Sequence, residues 1–181
     1  MDLFRWIAIL VSLAVISPVA RQEPAADPPA QKPGEIRIGT YDSRAIAIAY
    51  AASKYNPVSE KMKEHQQAKT AGDEDRVKQL EAWGQKHQRQ LHRQGFSEVP
   101  VNDLLAHVKG QLPDVARRAG VVAIVRKCDF TAADVATVDL TNELVALYEP
   151  SEKTLGFVES LKGKAPVDLD EIEKHNQEDD F

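Results

Sequence analysis

Apolar and polar positions alternate over the short stretch Ile36–Tyr41. Ile36 and Ile38 fall on one side of this stretch, and Arg37 and Gly39 fall on the other. A period of two is typical of a β-strand with one buried face. The pattern therefore predicts a short strand here, with the two isoleucines sharing a face.

A stretch rich in helix-forming residues follows, from Arg44 to about Ala71, and Asp42 or Ser43 can cap its start. Its first part, AIAIAYAASKY, is apolar, so we expect it to be buried. Pro57 lies inside this pattern. Because proline removes a backbone donor, it either kinks the helix or starts a second one.

Gly72 suits a helix end, and a second helix is predicted over Glu74–Gln94. Two helices joined by so short a turn form an antiparallel hairpin, which here spans about 44–94. A helix that packs on a core shows an apolar stripe about 100° wide. The stripe here is narrower, so we expect the hairpin to project into solvent or to pack loosely. Between positions 56 and 94 the large apolar residues are Val58, Met62, Val77, Leu80, Trp83 and Leu91.

The chain then returns to the sheet. The helical pattern breaks at Gly95–Pro100, resumes at Val101, and kinks or restarts at Pro113. Val121–Val125 is the clearest buried strand by composition, and Val135–Leu140 is predicted to pair with it. Two further helices are expected, one capped by Thr141 and running through Tyr148, the other capped by Ser151 and running through Lys162.

This order of elements predicts a helix-rich α+β fold. A small β-sheet receives its first strand before the antiparallel helical hairpin and its other strands after it. The folded domain is predicted to span 36–163.

Both ends of the chain differ in composition from this domain. Residues 1–20 contain the apolar run Trp6–Ile16, too short for a membrane span of about 20 residues. The run fits a secretory signal peptide, with an uncleaved N-terminal anchor as the alternative. Residues 21–35 hold four prolines and are predicted to form a linker. Residues 164–181 are predicted to be an acidic, disordered tail, because they contain seven acidic residues and only two lysines.

Net charge and the numbers and spacing of cysteines and histidines exclude several kinds of functional site. The net charge of −5 argues against a nucleic-acid-binding domain. The single cysteine, Cys128, excludes an internal disulfide and a cysteine-based zinc finger. His87 and His92 are five positions apart and lie on different helix faces, whereas helical metal pairs need closer spacing. With no glycine-rich phosphate loop or nucleophile elbow, we predict no metal, no cofactor and no enzymatic activity.

The polar hairpin is one candidate binding region. Trp83 is either a binding anchor, since such rings dominate contact energies, or a staple between the two arms. Residues 59–95 hold eight Lys or Arg against six Asp or Glu. The predicted partner-binding residues are Trp83, Arg76, Lys78, Lys86, Arg89 and Arg93.

A second candidate lies at the end of the first strand. Tyr41–Arg44 is a polar cluster at a strand's carboxyl end, where sites often occur in open α/β sheets. Asp42 and Ser43 are also ordinary helix caps. Cys128 lies beside Lys127, which could lower the pKa of the thiol and make it a nucleophile; a structural cysteine is the alternative.

Three stretches resemble the OmpH/Skp family of periplasmic chaperones: IRIGTYDSRAIA, ARRAGVVAIVRKCD, and ATVDLTNELVALYEP with its Asp139-Leu140-Thr141 helix start. The resemblance implies a signal peptide, a small sheet and a helical hairpin inserted after its first strand. It also implies a homotrimer assembled through the sheet region, with unfolded outer-membrane proteins held between basic arms. The arms here are shorter and only faintly basic.

Our first hypothesis is therefore an exported, non-enzymatic binding or holdase protein of the periplasm or cell envelope. Its partners would be unfolded or envelope proteins, and it would contact a membrane only through an uncleaved N-terminal segment. The alternative hypothesis is an exported small α/β protein with a ligand or enzymatic site near Tyr41–Arg44 and Cys128. A third hypothesis is a scaffolding protein that binds a partner through the acidic tail.

Overall fold

The computed structural model describes residues 35–178. It is a helix-rich α+β fold with a small three-stranded sheet. The strands are β1 (Ile36–Thr40), β2 (Ala123–Val125) and β3 (Val135–Asp139). The helices are α1 (Ser43–Ala51), α2 (Val58–Ala71), α3 (Glu74–Phe96), α4 (Asn102–Leu105), α5 (Leu112–Ala119), α6 (Thr141–Ala146), α7 (Glu152–Leu161) and α8 (Leu169–Glu178), with a 3₁₀-helix over Ala106–Gln111.

The sheet is entirely parallel, in the order β2-β1-β3. Ile38 of β1 pairs with Ala123 of β2 on one side and with Thr137 of β3 on the other. The predicted pairing of Val121–Val125 with Val135–Leu140 is therefore wrong, because β1 lies between them. Two parallel strands need a crossover rather than a tight turn, and the glycine-free connection between β2 and β3 serves as that crossover.

The sheet buries the face that carries Arg37 and Gly39 rather than the isoleucine face. Gly39 explains this choice, because a Cβ at this position would lie 2.4 Å from Leu140 Cδ1. The absent side chain lets Leu140 pack over β1. On the opposite face Ile36 remains 45% exposed. The predicted buried strand at Val121–Val125 is also wrong, since β2 is an edge strand and the neighbouring Val122 is 74% exposed.

Helix α1 is the centre of the core. It packs against α3, α4, α6 and α7; the buried cluster includes Ile46, Tyr50, Val101, Val108, Leu144 and Tyr148. The chain restarts as a new helix after Pro57, so α1 is separate from α2, and the helical stretch predicted from about 44 is interrupted between Ala51 and Val58. The physical reason is that α1 buries side chains around most of its circumference, which places it inside the domain.

Helices α2 and α3 form a pair joined by Gly72 and Asp73. Gly72 ends α2 with φ 71°, a left-handed conformation that glycine adopts without strain. The Asp73 side chain caps α3 by accepting from the Arg76 backbone N–H at 3.0 Å. At 1.5 Å per residue α3 is about 34 Å long. Leu91 of α3 packs against the main core cluster, and α3 lies against α1, whereas α2 packs mainly against α3 and adds no residue to that cluster.

The acidic C-terminal segment differs from the predicted disordered tail. Leu169–Glu178 forms α8, which packs against α3. Ile172 is 5% exposed, and burial of its side chain stabilises the packing of α8. The prediction of disorder rests on the overall acidic composition of the segment, which does not reveal this single apolar contact. Residues 1–20 and nearly all of the linker 21–35 lie outside the described residues. Within 35–178 no helix combines the length and the apolarity needed to cross a membrane.

Candidate functional site

Polar contacts bridge the two helices of the α2–α3 pair. Arg76 Nη2 donates to Glu64 Oε2 at 2.6 Å, and His65 Nε2 lies 3.2 Å from Glu81 Oε1. Glu64 also accepts from Lys61 Nζ. The hydrogen bonds from Lys61, which has the larger effect, and from Arg76 lower the pKa of the Glu64 carboxyl below its usual value. The interface between the helices therefore uses charge where a core helix would use apolar side chains.

Two stacked aromatic rings lie on the part of α3 that is beside the start of α2. The rings of Trp83 and His87 stack at a centroid distance of 4.8 Å with 14° between their planes. His87 Nε2 lies 3.0 Å from Asn56 Oδ1, just before α2. Burial lowers the pKa of His87, because desolvation disfavours the charged imidazolium. Trp83 is half-buried and reaches the start of α2 through His87, a position that suits the staple hypothesis while leaving part of the ring accessible.

The cations predicted to bind a partner fall into two groups. Arg76 and Arg93 form ion pairs within the chain, Arg76 with Glu64 and Arg93 Nε with Glu173 Oε1 at 3.3 Å. The side chains of Lys78, Lys86 and Arg89 are exposed on α3. The accessible basic surface of the pair is therefore smaller than the sequence count indicates, and part of it is covered by α8.

At the other candidate site, Asp42 organises the end of β1. Its carboxylate caps α1 by accepting from the Arg44 backbone N–H at 2.9 Å, and also accepts from Arg44 Nη2 at 2.7 Å. The hydrogen bonds that the Arg44 guanidinium donates to the Asp42 carboxylate are the main reason that the pKa of Arg44 is raised. Arg44 Nη1 donates to the backbone carbonyl of Lys164 at 3.0 Å. The predicted Asp42 cap is confirmed, and Arg44 is largely buried.

Thr141 joins β1 to β3 at the same edge. The Asp42 backbone N–H donates to Thr141 Oγ1 at 3.0 Å, and that hydroxyl donates to Asp139 Oδ1 at 2.6 Å. The sequence predicts Thr141 as a helix cap, but Leu140 occupies the N-cap position of α6. The hydroxyl is used between strands instead. Sequence reasoning missed this link, although the Asp139-Leu140-Thr141 motif contains both of its side chains.

Cys128 follows β2 toward the same edge of the sheet. Its Sγ donates to the Phe130 carbonyl 3.1 Å away, rather than to the Tyr41–Arg44 cluster. Tyr41 itself is buried, which raises the pKa of its hydroxyl, while the charge of Arg126 partly opposes this shift. The Ser43 hydroxyl is also buried and has no hydrogen-bond partner among the described residues. Most polar groups at this edge are thus engaged in holding β1, β3 and α1 together.

Within 35–178 no group of three or more His, Cys, Asp or Glu side chains is placed to hold a metal ion. Comparisons with protein-family models, curated proteins and solved structures find no match to this chain. Its function is therefore inferred from the geometry of these two regions.

Proposed function

We propose that this chain is an exported, non-enzymatic binding protein of the periplasm or cell envelope. In this proposal it acts as a holdase for unfolded or envelope proteins, with the α2–α3 pair as its binding surface. The observation that carries the proposal is that α2 contributes no residue to the main core cluster and packs mainly against α3. Helix α3 also packs against α1 and α8, so the surface left to another chain is the outward face of α2 together with the exposed positions of α3.

The order of the cross-helix contacts supports the hairpin geometry that the proposal needs. Asn56, before α2, meets His87, while Glu64, within α2, meets the lower-numbered Arg76. Rising residue numbers on one side match falling numbers on the other, which fits an antiparallel hairpin. We propose that this hairpin corresponds to the arm of the OmpH/Skp family that the sequence resembles.

Charge supports a role in capture rather than in catalysis. Residues 84–96 of α3 contain Lys86, Arg89 and Arg93 and no acidic residue. A cationic surface attracts acidic segments and raises the rate of encounter, an effect that salt weakens. Trp83 at the start of this stretch adds a partly accessible aromatic ring of the type that anchors interfaces.

A second candidate function is a small-ligand site at the carboxyl edge of the sheet. In the order β2-β1-β3 the connection that leaves β1 runs toward β2 and away from β3, so the carboxyl ends of β1 and β3 can border a crevice. Ligands bind at such points in open parallel sheets. The unpartnered Ser43 hydroxyl beside Asp42 favours this candidate, whereas the internal bonding of Arg44 and Thr141 weighs against it.

The test of the first proposal is suppression of aggregation. An unfolded β-barrel protein is diluted from denaturant with a several-fold excess of this chain, and light scattering is followed. We expect suppression by the wild type and a clear loss of it in K78E/K86E. The matched control is K109E/R118E, which changes the net charge equally at exposed positions away from α3. No suppression by the wild type, or equal losses in both variants, would sink the proposal.

A further inference from the structure

The acidic helix α8 lies on the basic half of α3. Residues 169–178 hold four acidic side chains and one lysine, whereas residues 84–96 hold three cations and no acidic side chain. Arg93 Nε lies 3.3 Å from Glu173 Oε1. Opposite charges therefore face each other where the two helices meet.

An apolar contact and two backbone contacts fix the position of this segment. Ile172 of α8 is buried, although its neighbours along the helix are acidic. The Val167 backbone N–H donates to the Phe96 carbonyl at the end of α3, at 2.9 Å. Just before it, the Lys164 carbonyl accepts from Arg44. The segment is thus guided from the sheet edge onto the end of α3.

The attachment of α8 itself is slight. Arg93 and Glu173 are each about half exposed, and ion pairs at such exposure contribute little to stability. Among the α8 side chains that are described, Ile172 is buried and Leu169 is partly buried, and the others are charged. Local segments with few buried apolar contacts open at a small fraction of the global unfolding free energy. Helix α8 can therefore leave α3 while the domain stays folded.

We propose that residues 84–96 of α3 form a docking surface for an acidic amphipathic helix, and that α8 is its displaceable intramolecular occupant. This inference rests on the proposed binding role of the α2–α3 pair and adds the chemistry of the partner. The partner is an acidic segment of another protein with one aliphatic side chain among its carboxylates. In the resting protein α8 excludes it, so that weak acidic segments do not bind.

The test uses the full chain and a fluorescein-labelled peptide of residues 166–178 as the probe. When the docking-competent state is a small fraction of molecules, the apparent dissociation constant rises in inverse proportion to that fraction. Ile172→Asp removes the buried contact of the internal α8, so we expect this variant to bind the peptide about tenfold more tightly than the wild type. Leu155→Asp, the same kind of change at an exposed residue of α7, should leave peptide binding at the wild-type level.

Further variants keep the proposal open to refutation. Glu173→Lys changes a half-exposed residue, leaves Ile172 in place, and should also tighten peptide binding, by a smaller factor. Adding Arg93→Glu to Ile172→Asp should abolish the gain. Equal binding by the wild type, Ile172→Asp and Glu173→Lys would overturn the proposal, as would binding that survives Arg93→Glu. Since no unfolded client is present, failure here is distinct from failure of the holdase activity.

Discussion

Gly39 is the residue whose missing side chain decides which face of the sheet is buried. Leu140 occupies the space that a Cβ would need. We predict that Gly39→Ala lowers the free energy of unfolding by about 1–3 kcal/mol, the usual range for overpacking a core. Urea denaturation measures it.

Gly84→Ala is the control for this change. Gly84 lies inside α3, and no atom lies within 4 Å of the position that a Cβ would take, so alanine should stabilise the helix there by about 0.5–1 kcal/mol. A Gly39→Ala protein as stable as the wild type would show that Leu140 does not set the packing of β1.

Asp42 serves both as a helix cap and as the counter-ion of a buried arginine. Asp42→Ala removes both roles and leaves the Arg44 guanidinium without its carboxylate, so we expect a loss of about 3 kcal/mol in unfolding free energy. Asp42→Asn keeps the cap and loses the charge, and it should cost less. If the two variants were equally stable in urea denaturation, the ion pair would contribute nothing beyond the cap.

The helix caps are the features of the molecule that the sequence predicts best. The caps at Asp42, Gly72 and Ser151 are confirmed, because each depends on residues within one turn of chain. The same kind of local evidence predicts a capping role for Thr141. Its hydroxyl instead binds the backbone of Asp42, a residue far away in sequence, and nothing local signals that choice.

The stability of the α2–α3 pair is expected to depend on pH through His87 of α3. Burial lowers the pKa of His87 below its ordinary value of 6.5. As the pH falls through about 6.5, the unfolded chain takes up a proton before the folded one does. The stability from neutral His87 is complete above that pH and is lost progressively down to the lowered folded pKa.

We therefore predict that wild type loses more stability than His87→Gln on acidification through this window. The measurement is the free energy of unfolding by urea as a function of pH, with His107→Gln as a control for loss of a histidine elsewhere. Superimposable profiles for the wild type and His87→Gln would contradict the inferred burial of the neutral ring.

The sequence predicts where helices begin and end along the chain better than it predicts how they pack in the fold. Helix α3 spans Glu74–Phe96 against a predicted Glu74–Gln94. In contrast, the sequence pattern places α1 in the hairpin and α8 in a disordered tail. Both errors concern tertiary contacts: α1 is apolar enough to form the core, and α8 is retained by one buried isoleucine and an ion pair that composition alone does not reveal.

For the whole molecule, the uncovered face of the sheet bears on assembly. Parallel sheets are normally covered on both faces, yet Ile36 is partly exposed here. Strands of five, three and five residues present only about 200 Å² at ordinary strand spacings. A stable interface needs about 800 Å² per partner. If the chain assembles as the family resemblance implies, the contact must extend beyond the sheet.

If the trimer implied by the resemblance forms, the full chain has a trimer's mass in solution, and Ile36→Glu shifts that mass toward a monomer. Light scattering coupled to size exclusion measures the mass of the full chain. Leu155→Glu, at a residue equally exposed but on α7, should leave the mass unchanged. A wild-type monomer would rule out the trimer and leave a single-chain binding surface.

In the proposed function, clients bind the α2–α3 pair and not the carboxyl edge of the sheet. Amide hydrogen exchange of the full chain, with and without an unfolded β-barrel protein, distinguishes these two surfaces. We expect slower exchange over residues 58–96 in the presence of client, with no change at Tyr41–Arg44 or near Cys128. Protection confined to the sheet edge, or none over residues 58–96, would contradict it.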